Sequence, residues 1–161
     1  MSRLHELAGE AARDAMARGF APVTWEILPG RVMMIVTELD ELRHAEDVGP
    51  ELADVVIRTV GLLHVLFPGW RLLKSPPLED VGRRGRLSLE AELWPVIHFC
   101  TECVHAWRRG EVDRVGKALE WIVWECYRLA HVLSVDLMRE VEAKVAINRT
   151  RPYRHGALEA L

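Results

Sequence analysis

The feature that most limits the fold of this chain is a helical spacing of apolar residues, interrupted by glycine and proline. Segment 50–66 is the clearest case, because five apolar side chains fall on one helix face: Leu52, Val55, Val56, Val60 and Leu63. Helical patterns also cover 2–19, 31–44, 88–109, 112–133 and 135–148. None of these segments has the alternating pattern of a strand. The sequence therefore predicts an all-α bundle of five to six helices.

Glycine and proline divide the predicted helices into two hairpins within a single domain, 1–161. We expect a first hairpin at 31–66, a linker at 67–87, a second hairpin at 88–133, and a C-terminal helix and tail at 135–161. Gly49 suits the end of one helix and Pro50 the start of the next. Ser88 suits the N-cap of the fourth helix, and Gly110 separates it from the fifth.

Composition excludes several classes of partner. The net charge of −3 and the pI of about 6.2 argue against a general nucleic-acid or membrane surface. No apolar run approaches the roughly 18 residues of a membrane span, and the charged N-terminal segment lacks the apolar core of a secretory signal. Three cysteines, an odd and sparse set, suit a reducing compartment, so we expect a cytoplasmic protein.

Two pairs of acids, Glu38 with Glu41 and Glu51 with Asp54, lie within seventeen residues. Each pair has i, i+3 spacing, so both of its carboxylates leave the same face of a helix. Two antiparallel helices would direct all four into one space, where they repel by several kcal/mol unless a cation neutralises them. Oxygen ligands favour Mg²⁺, with Mn²⁺ as an alternative. The competing interpretation is two solvated helix faces.

The two hairpins also resemble each other in sequence, which indicates a degenerate internal repeat. Residues 41–45 (ELRHA) match 102–106 (ECVHA) at an offset of 61, and 62–66 (LLHVL) match 129–133 (LAHVL) at an offset of 67. The six additional residues are expected in the turn between the helices. In this alignment Phe99 and Trp121 stand at positions of acids, and we expect them to fill a core. Chance similarity between short helical segments is the alternative.

The ExxE and ExxD motifs on consecutive helices resemble the MazG-like all-α nucleoside triphosphate pyrophosphohydrolases, relatives of the dimeric dUTPases. The tail, with Lys144, Asn148 and Arg151, resembles the closing Lys-xxx-Asn-xx-Arg segment of phage-type, single-domain members. The resemblance covers roughly 25–70 and 95–156. It leaves open whether the acids and the tail meet within one chain or across an interface.

The resemblance implies hydrolysis of a nucleoside triphosphate to a monophosphate and pyrophosphate, with Mg²⁺ held by the four acids. It assigns catalytic roles to Lys144, Asn148 and Arg151. These three would bind the substrate phosphates, together with Tyr153 and Arg154. Any of the four acids that the metal leaves free could act as the general base, with Glu41 as the first choice. From their positions before and on the acidic helix, Trp25, Arg31 and Met34 are candidates to contact the base, with ordinary packing or solvent exposure as the alternative.

Base specificity is not encoded in these motifs. The tail favours a deoxypurine substrate such as dGTP, whereas dUTP or dCTP is the alternative within the same fold. A non-catalytic helical bundle with a regulatory or assembly role is the alternative from another class. Apolar helix faces predict a homodimer or a dimer of dimers.

Overall fold

The computed structural model of the protein describes residues 2–70 and 88–152, and it is helical with no strand in either range. Within these two ranges, six helices follow one another. They are α1 (Ser2–Ala17), α2 (Leu28–His44), α3 (Val48–Leu66), α4 (Leu89–Arg108), α5 (Val112–Val132) and α6 (Leu137–Arg149). The predicted all-α class and the number of helices are confirmed.

Helices α2, α3, α5 and α4 form a closed ring in which each helix packs against two neighbours. Helices α1 and α6 pack against each other and against α3, which therefore contacts four other helices. The predicted apolar stripe of α3 is buried in the resulting core, with each of its five side chains at most 1% exposed. Burial of this stripe, worth roughly 1.5–3 kcal/mol per side chain, holds the bundle together.

Two helix starts differ from the prediction. Helix α2 begins at Leu28, before the predicted residue 31, because Pro29 is tolerated within the first helical turn. Helix α3 begins at Val48, where the side chain of Asp47 accepts a hydrogen bond of 3.1 Å from the Gly49 backbone N–H. The prediction that Gly49 ends a helix is therefore wrong, since this glycine is buried in the first turn of α3.

The remaining boundary residues follow the prediction. Ser88 caps α4, with its Oγ accepting a hydrogen bond of 3.2 Å from the backbone N–H of Ala91. Gly110 has a φ of +71° in the turn between α4 and α5, a conformation that favours glycine. Of the predicted linker, residues 71–87 lie outside the described residues.

The burial of side chains follows the register of the predicted repeat. Three core positions of α3 match three of α5 at the offset of 67, and all six side chains are at most 1% exposed: Leu52, Val55 and Val56 against Leu119, Ile122 and Val123. The buried glycines Gly49 and Gly116 also correspond. Three residues separate the helices in each hairpin, 45–47 and 109–111. The six additional residues therefore lengthen α4 and α5 by three each, instead of the turn.

Phe99 packs against the core, as predicted, whereas two tryptophans of the second hairpin lie largely outside it. Trp94 is 64% exposed and Trp121 is 46% exposed, so neither fills the core. Trp121 instead stacks on Phe99, with ring centroids 5.4 Å apart and planes 9° from parallel. None of the described helices is both long enough and apolar enough to cross a membrane.

Candidate metal centre

Three glutamates from the first hairpin converge where the end of α2 meets the start of α3. Glu38, Glu41 and Glu51 each offer a carboxylate oxygen, and these oxygens lie within 4.8 Å of one another. Glu38 is buried, Glu51 is half-buried and Glu41 is exposed, so the cluster runs from the bundle interior to its surface. Such a set of oxygens fits a hard divalent cation such as Mg²⁺ or Mn²⁺. Exposed acidic groups also gather without a metal, so the metal stays a prediction.

The fourth predicted acid, Asp54, lies beside these glutamates and forms an ion pair with the C-terminal helix. Its Oδ2 is 2.7 Å from Nζ of Lys144, and both side chains are less than a fifth exposed. A second ion pair joins the two acidic helices, because Arg58 Nε donates to Glu38 Oε1 over 2.5 Å. The acids and Lys144 therefore meet within one chain, a point that the sequence had left open.

Burial raises the pKa of Asp54 above its ordinary value, and the negative charge of Glu38 adds to this effect. The hydrogen bond and the charge of Lys144 act in the opposite direction, as does Arg58, but they do not outweigh burial. Asp54 is thus a carboxylate whose ionised form is costly in this environment. An additional positive charge at the cluster would stabilise that form.

The charges of the site are incompletely balanced by the residues that the structure describes. Among these residues, four carboxylates (Glu38, Glu41, Glu51 and Asp54) stand against two cations, Arg58 and Lys144. The ionised cluster therefore has a net charge of about −2. One divalent cation would neutralise this charge with both ion pairs intact.

The tail residues have different surroundings. Asn148 lies one turn beyond Lys144 on α6, and its buried Oδ1 accepts no hydrogen bond within the described part of the chain. Arg151 follows α6, and its backbone N–H donates to the Asn148 carbonyl over 3.2 Å. Tyr153 and Arg154 lie outside the described residues. Their predicted contacts with phosphate stay predictions.

The three residues predicted to contact a base lie towards the start of α2. The carbonyl of Trp25 accepts a hydrogen bond of 2.8 Å from Trp107 Nε1, and Arg31 donates to the carbonyl of Ala21 over 3.2 Å. Leu28, where α2 begins, is about 20 Å along the helix from Glu41 at 1.5 Å per residue. Only Met34, 40% exposed and one turn before Glu38, approaches the acids along α2. The role of these residues in binding a base stays a prediction.

Sequence reasoning missed Arg58, which pairs with the most buried acid of the cluster. A signal for it was present, because Arg58 follows Asp54 by four residues and so leaves the same face of α3. That spacing indicates a cation beside the second acid pair. It does not indicate that the guanidinium reaches across to Glu38 on α2, which depends on how the two helices pack.

Comparison with known proteins returned no match for this chain among protein-family models, curated proteins or solved structures.

Proposed function

We propose that this protein is a Mg²⁺-dependent nucleoside triphosphate pyrophosphohydrolase that releases a nucleoside monophosphate and pyrophosphate. The observation that carries the proposal is the convergence of Glu38, Glu41 and Glu51 to within 4.8 Å. The ion pair between Lys144 and Asp54 supports it, because it brings the first residue of the Lys-xxx-Asn-xx-Arg segment to the acids. The resemblance to MazG-like enzymes adds the reaction, and the weak preference for a deoxypurine such as dGTP comes from the tail.

The charge of each residue at the site indicates its proposed role. The four acids would hold the metal, which when bound neutralises triphosphate charge and lowers the pKa of water. Glu41 is the most exposed of the three clustered glutamates, and this position suits a general base that must reach solvent water. Lys144 and Arg151 would bind phosphate oxygens, Lys144 as a point charge and Arg151 through its planar fork. Asn148 has a buried carbonyl oxygen that accepts no hydrogen bond from the described residues, so it is free to accept one from an O–H or N–H group of the substrate.

The test is pyrophosphate release from each standard ribo- and deoxynucleoside triphosphate with Mg²⁺, Mn²⁺ or EDTA. We expect metal-dependent release that is lost in Glu41→Gln. The matched control is Glu46→Gln, because Glu46 is an exposed acid in the same turn region and lies outside the cluster. Equal turnover by both variants, or release that persists in EDTA, would contradict the proposal. Preference for dUTP or dCTP over dGTP would change only the proposed base specificity and not the proposed reaction.

A second candidate function is a non-catalytic bundle with a regulatory or assembly role. The specific observation in its favour is that Arg58 and Lys144 already neutralise Glu38 and Asp54 through ion pairs. A protein that used the acids only for stability would need such pairs. Thermal unfolding separates the two functions, since Mg²⁺ should raise the Tm of a metal-binding enzyme and leave that of a purely ion-paired bundle unchanged.

A further inference from the structure

A pocket lies in the second hairpin, at the position that corresponds to the acids of the first hairpin. In the repeat register, the four acids of α2 and α3 correspond to Phe99, Glu102, Ala118 and Trp121, and all four of these line the pocket. The pocket has a volume of about 190 Å³, enough to enclose one planar ring system, so any further part of a ligand would lie at the rim of the pocket. The positions that correspond to the four acids therefore line a concave site whose side chains have a different chemistry.

The first component of this chemistry is an aromatic platform. The rings of Phe99 and Trp121 are stacked at 5.4 Å, and Trp121 remains 46% exposed beside the pocket. Trp121 therefore presents a large aromatic surface to the pocket. A planar heteroaromatic ring stacked on Trp121 would cover this surface, as bases do on aromatic side chains.

The second component is a set of cations. Arg109, Arg114 and Lys117 line the same pocket, against two carboxylates, Glu102 and Glu111. Glu111 pairs with Arg114 over 2.8 Å. Arg109 forms no ion pair within the described part of the chain. Lys117 forms none there either, although its charge partly offsets the burial that raises the pKa of Glu120. With His98 and His105 neutral, the lining has a net charge of about +1, opposite in sign to the acidic cluster.

We propose that this pocket binds a nucleoside monophosphate without a divalent metal, with the base on Trp121 and the phosphate near Arg109 and Lys117. The monophosphate fits better than a triphosphate, because more negative charge would meet Glu102 and Glu111. The exposed ring of Trp121 would stack on the planar base, and the cations Arg109 and Lys117 would attract the phosphate. The proposed enzymatic function is not needed for this site, which uses other residues and no metal.

The test is isothermal titration of the full chain in EDTA with guanosine monophosphate, adenosine monophosphate, guanosine and inorganic phosphate. We expect the monophosphates to bind more tightly than guanosine or phosphate alone. Trp121→Ala should weaken monophosphate binding about tenfold or more, and Lys117→Gln about tenfold. Both side chains are exposed, so both variants should fold. Glu41→Gln should bind as the wild type does, because its carboxylate belongs to the other hairpin.

Two matched controls distinguish the pocket from general surface effects. Trp94→Ala removes another exposed tryptophan of the same hairpin, and Arg139→Gln removes an exposed cation of α6. Both should bind the monophosphates like the wild type. No binding in EDTA at millimolar concentrations would overturn the proposal. So would binding that the two controls weaken as much as Trp121→Ala and Lys117→Gln do, or that Glu41→Gln abolishes.

Discussion

Lys144 Nζ lies 2.7 Å from Asp54 Oδ2, and this ion pair ties the C-terminal helix α6 to the acidic helix α3. Ninety residues of sequence separate the two groups, yet both are largely buried. Because both side chains are largely buried, water screens the attraction between these two charges less than it screens a surface salt bridge. The ion pair therefore holds α6 against α3 and also involves one of the acids proposed to bind the metal.

The acidic cluster should bind one Mg²⁺ per chain when both ion pairs are in place, because its net charge is about −2. Calorimetric titration with Mg²⁺ measures this stoichiometry. Glu41→Gln, which removes one charge and little volume, should weaken binding at least tenfold while the helical circular dichroism stays unchanged. Glu46→Gln is the control. Two separate metal clusters per chain would contradict both the charge balance and the degenerate repeat.

Lys144→Ala should lower the free energy of unfolding in EDTA by about 1–3 kcal/mol, because it leaves the buried Asp54 carboxylate without its partner. Urea titration measures this loss.

Lys144→Ala and Arg151→Ala should also weaken triphosphate binding by about 1–3 kcal/mol, because each removes a cation expected to bind phosphate oxygens. Arg139→Ala provides a control for the loss of an exposed cation on α6. Unchanged stability in Lys144→Ala would show that the ion pair contributes nothing.

The raised pKa of Asp54 should appear in the pH dependence of stability in EDTA. As pH falls from neutral through this raised pKa, the folded protein takes up a proton that the unfolded chain does not yet bind. The free energy of unfolding therefore gains a stabilising contribution, complete once the pH is below 3.8, the ordinary value. Asp54→Asn lacks this contribution.

Urea titrations between neutral pH and pH 4 can separate this contribution from that of the other acids. The difference in unfolding free energy, wild type minus Asp54→Asn, should become more positive as the pH falls. A difference that becomes more negative would mean that Lys144 holds the pKa of Asp54 below its ordinary value.

The three cysteines should resist alkylation in the folded protein. Burial raises the pKa of the Cys100 and Cys103 thiols to about 12, and raises that of Cys126 as well. At pH 8 only about one in ten thousand of the first two thiols would be ionised, and the thiolate is the reactive form. Mass spectrometry after iodoacetamide treatment should find no adduct in native protein and three in urea. Rapid modification of native Cys103 would contradict this burial.

Gly116→Ala should destabilise the protein by about 1–3 kcal/mol, because an added Cβ would lie 3.1 Å from the ring of Phe67. Gly61→Ala is the matched control within α3, since a Cβ there meets nothing within 4 Å. That substitution should stabilise the helix by up to about 1 kcal/mol. Thermal unfolding of both variants measures the contrast. Equal Tm values would show that the close packing at Gly116 is relaxed at little cost.

The helices could be predicted from the sequence because the patterns that indicate them involve residues close together in the chain. The apolar stripe from Leu52 to Leu63 repeats at the helical period, and Ser88 and Gly110 bound their helices through their own backbone preferences. The i, i+3 spacing likewise placed both carboxylates of each acid pair on one face. Where two local signals competed, as at Gly49 and Asp47, the capping hydrogen bond of Asp47 decided the start of α3.

The sequence by itself determined that the described segments are helices, where several of them end, and the acidic character of the first hairpin. Only the tertiary structure decided that Arg58 reaches Glu38, that Lys144 reaches Asp54, and that Trp121 is half exposed beside a pocket. These contacts depend on the packing of α2, α3 and α6 and on the direction of side chains between neighbouring helices. Helical periodicity specifies a face of one helix, whereas the partner of that face depends on groups far away in the chain.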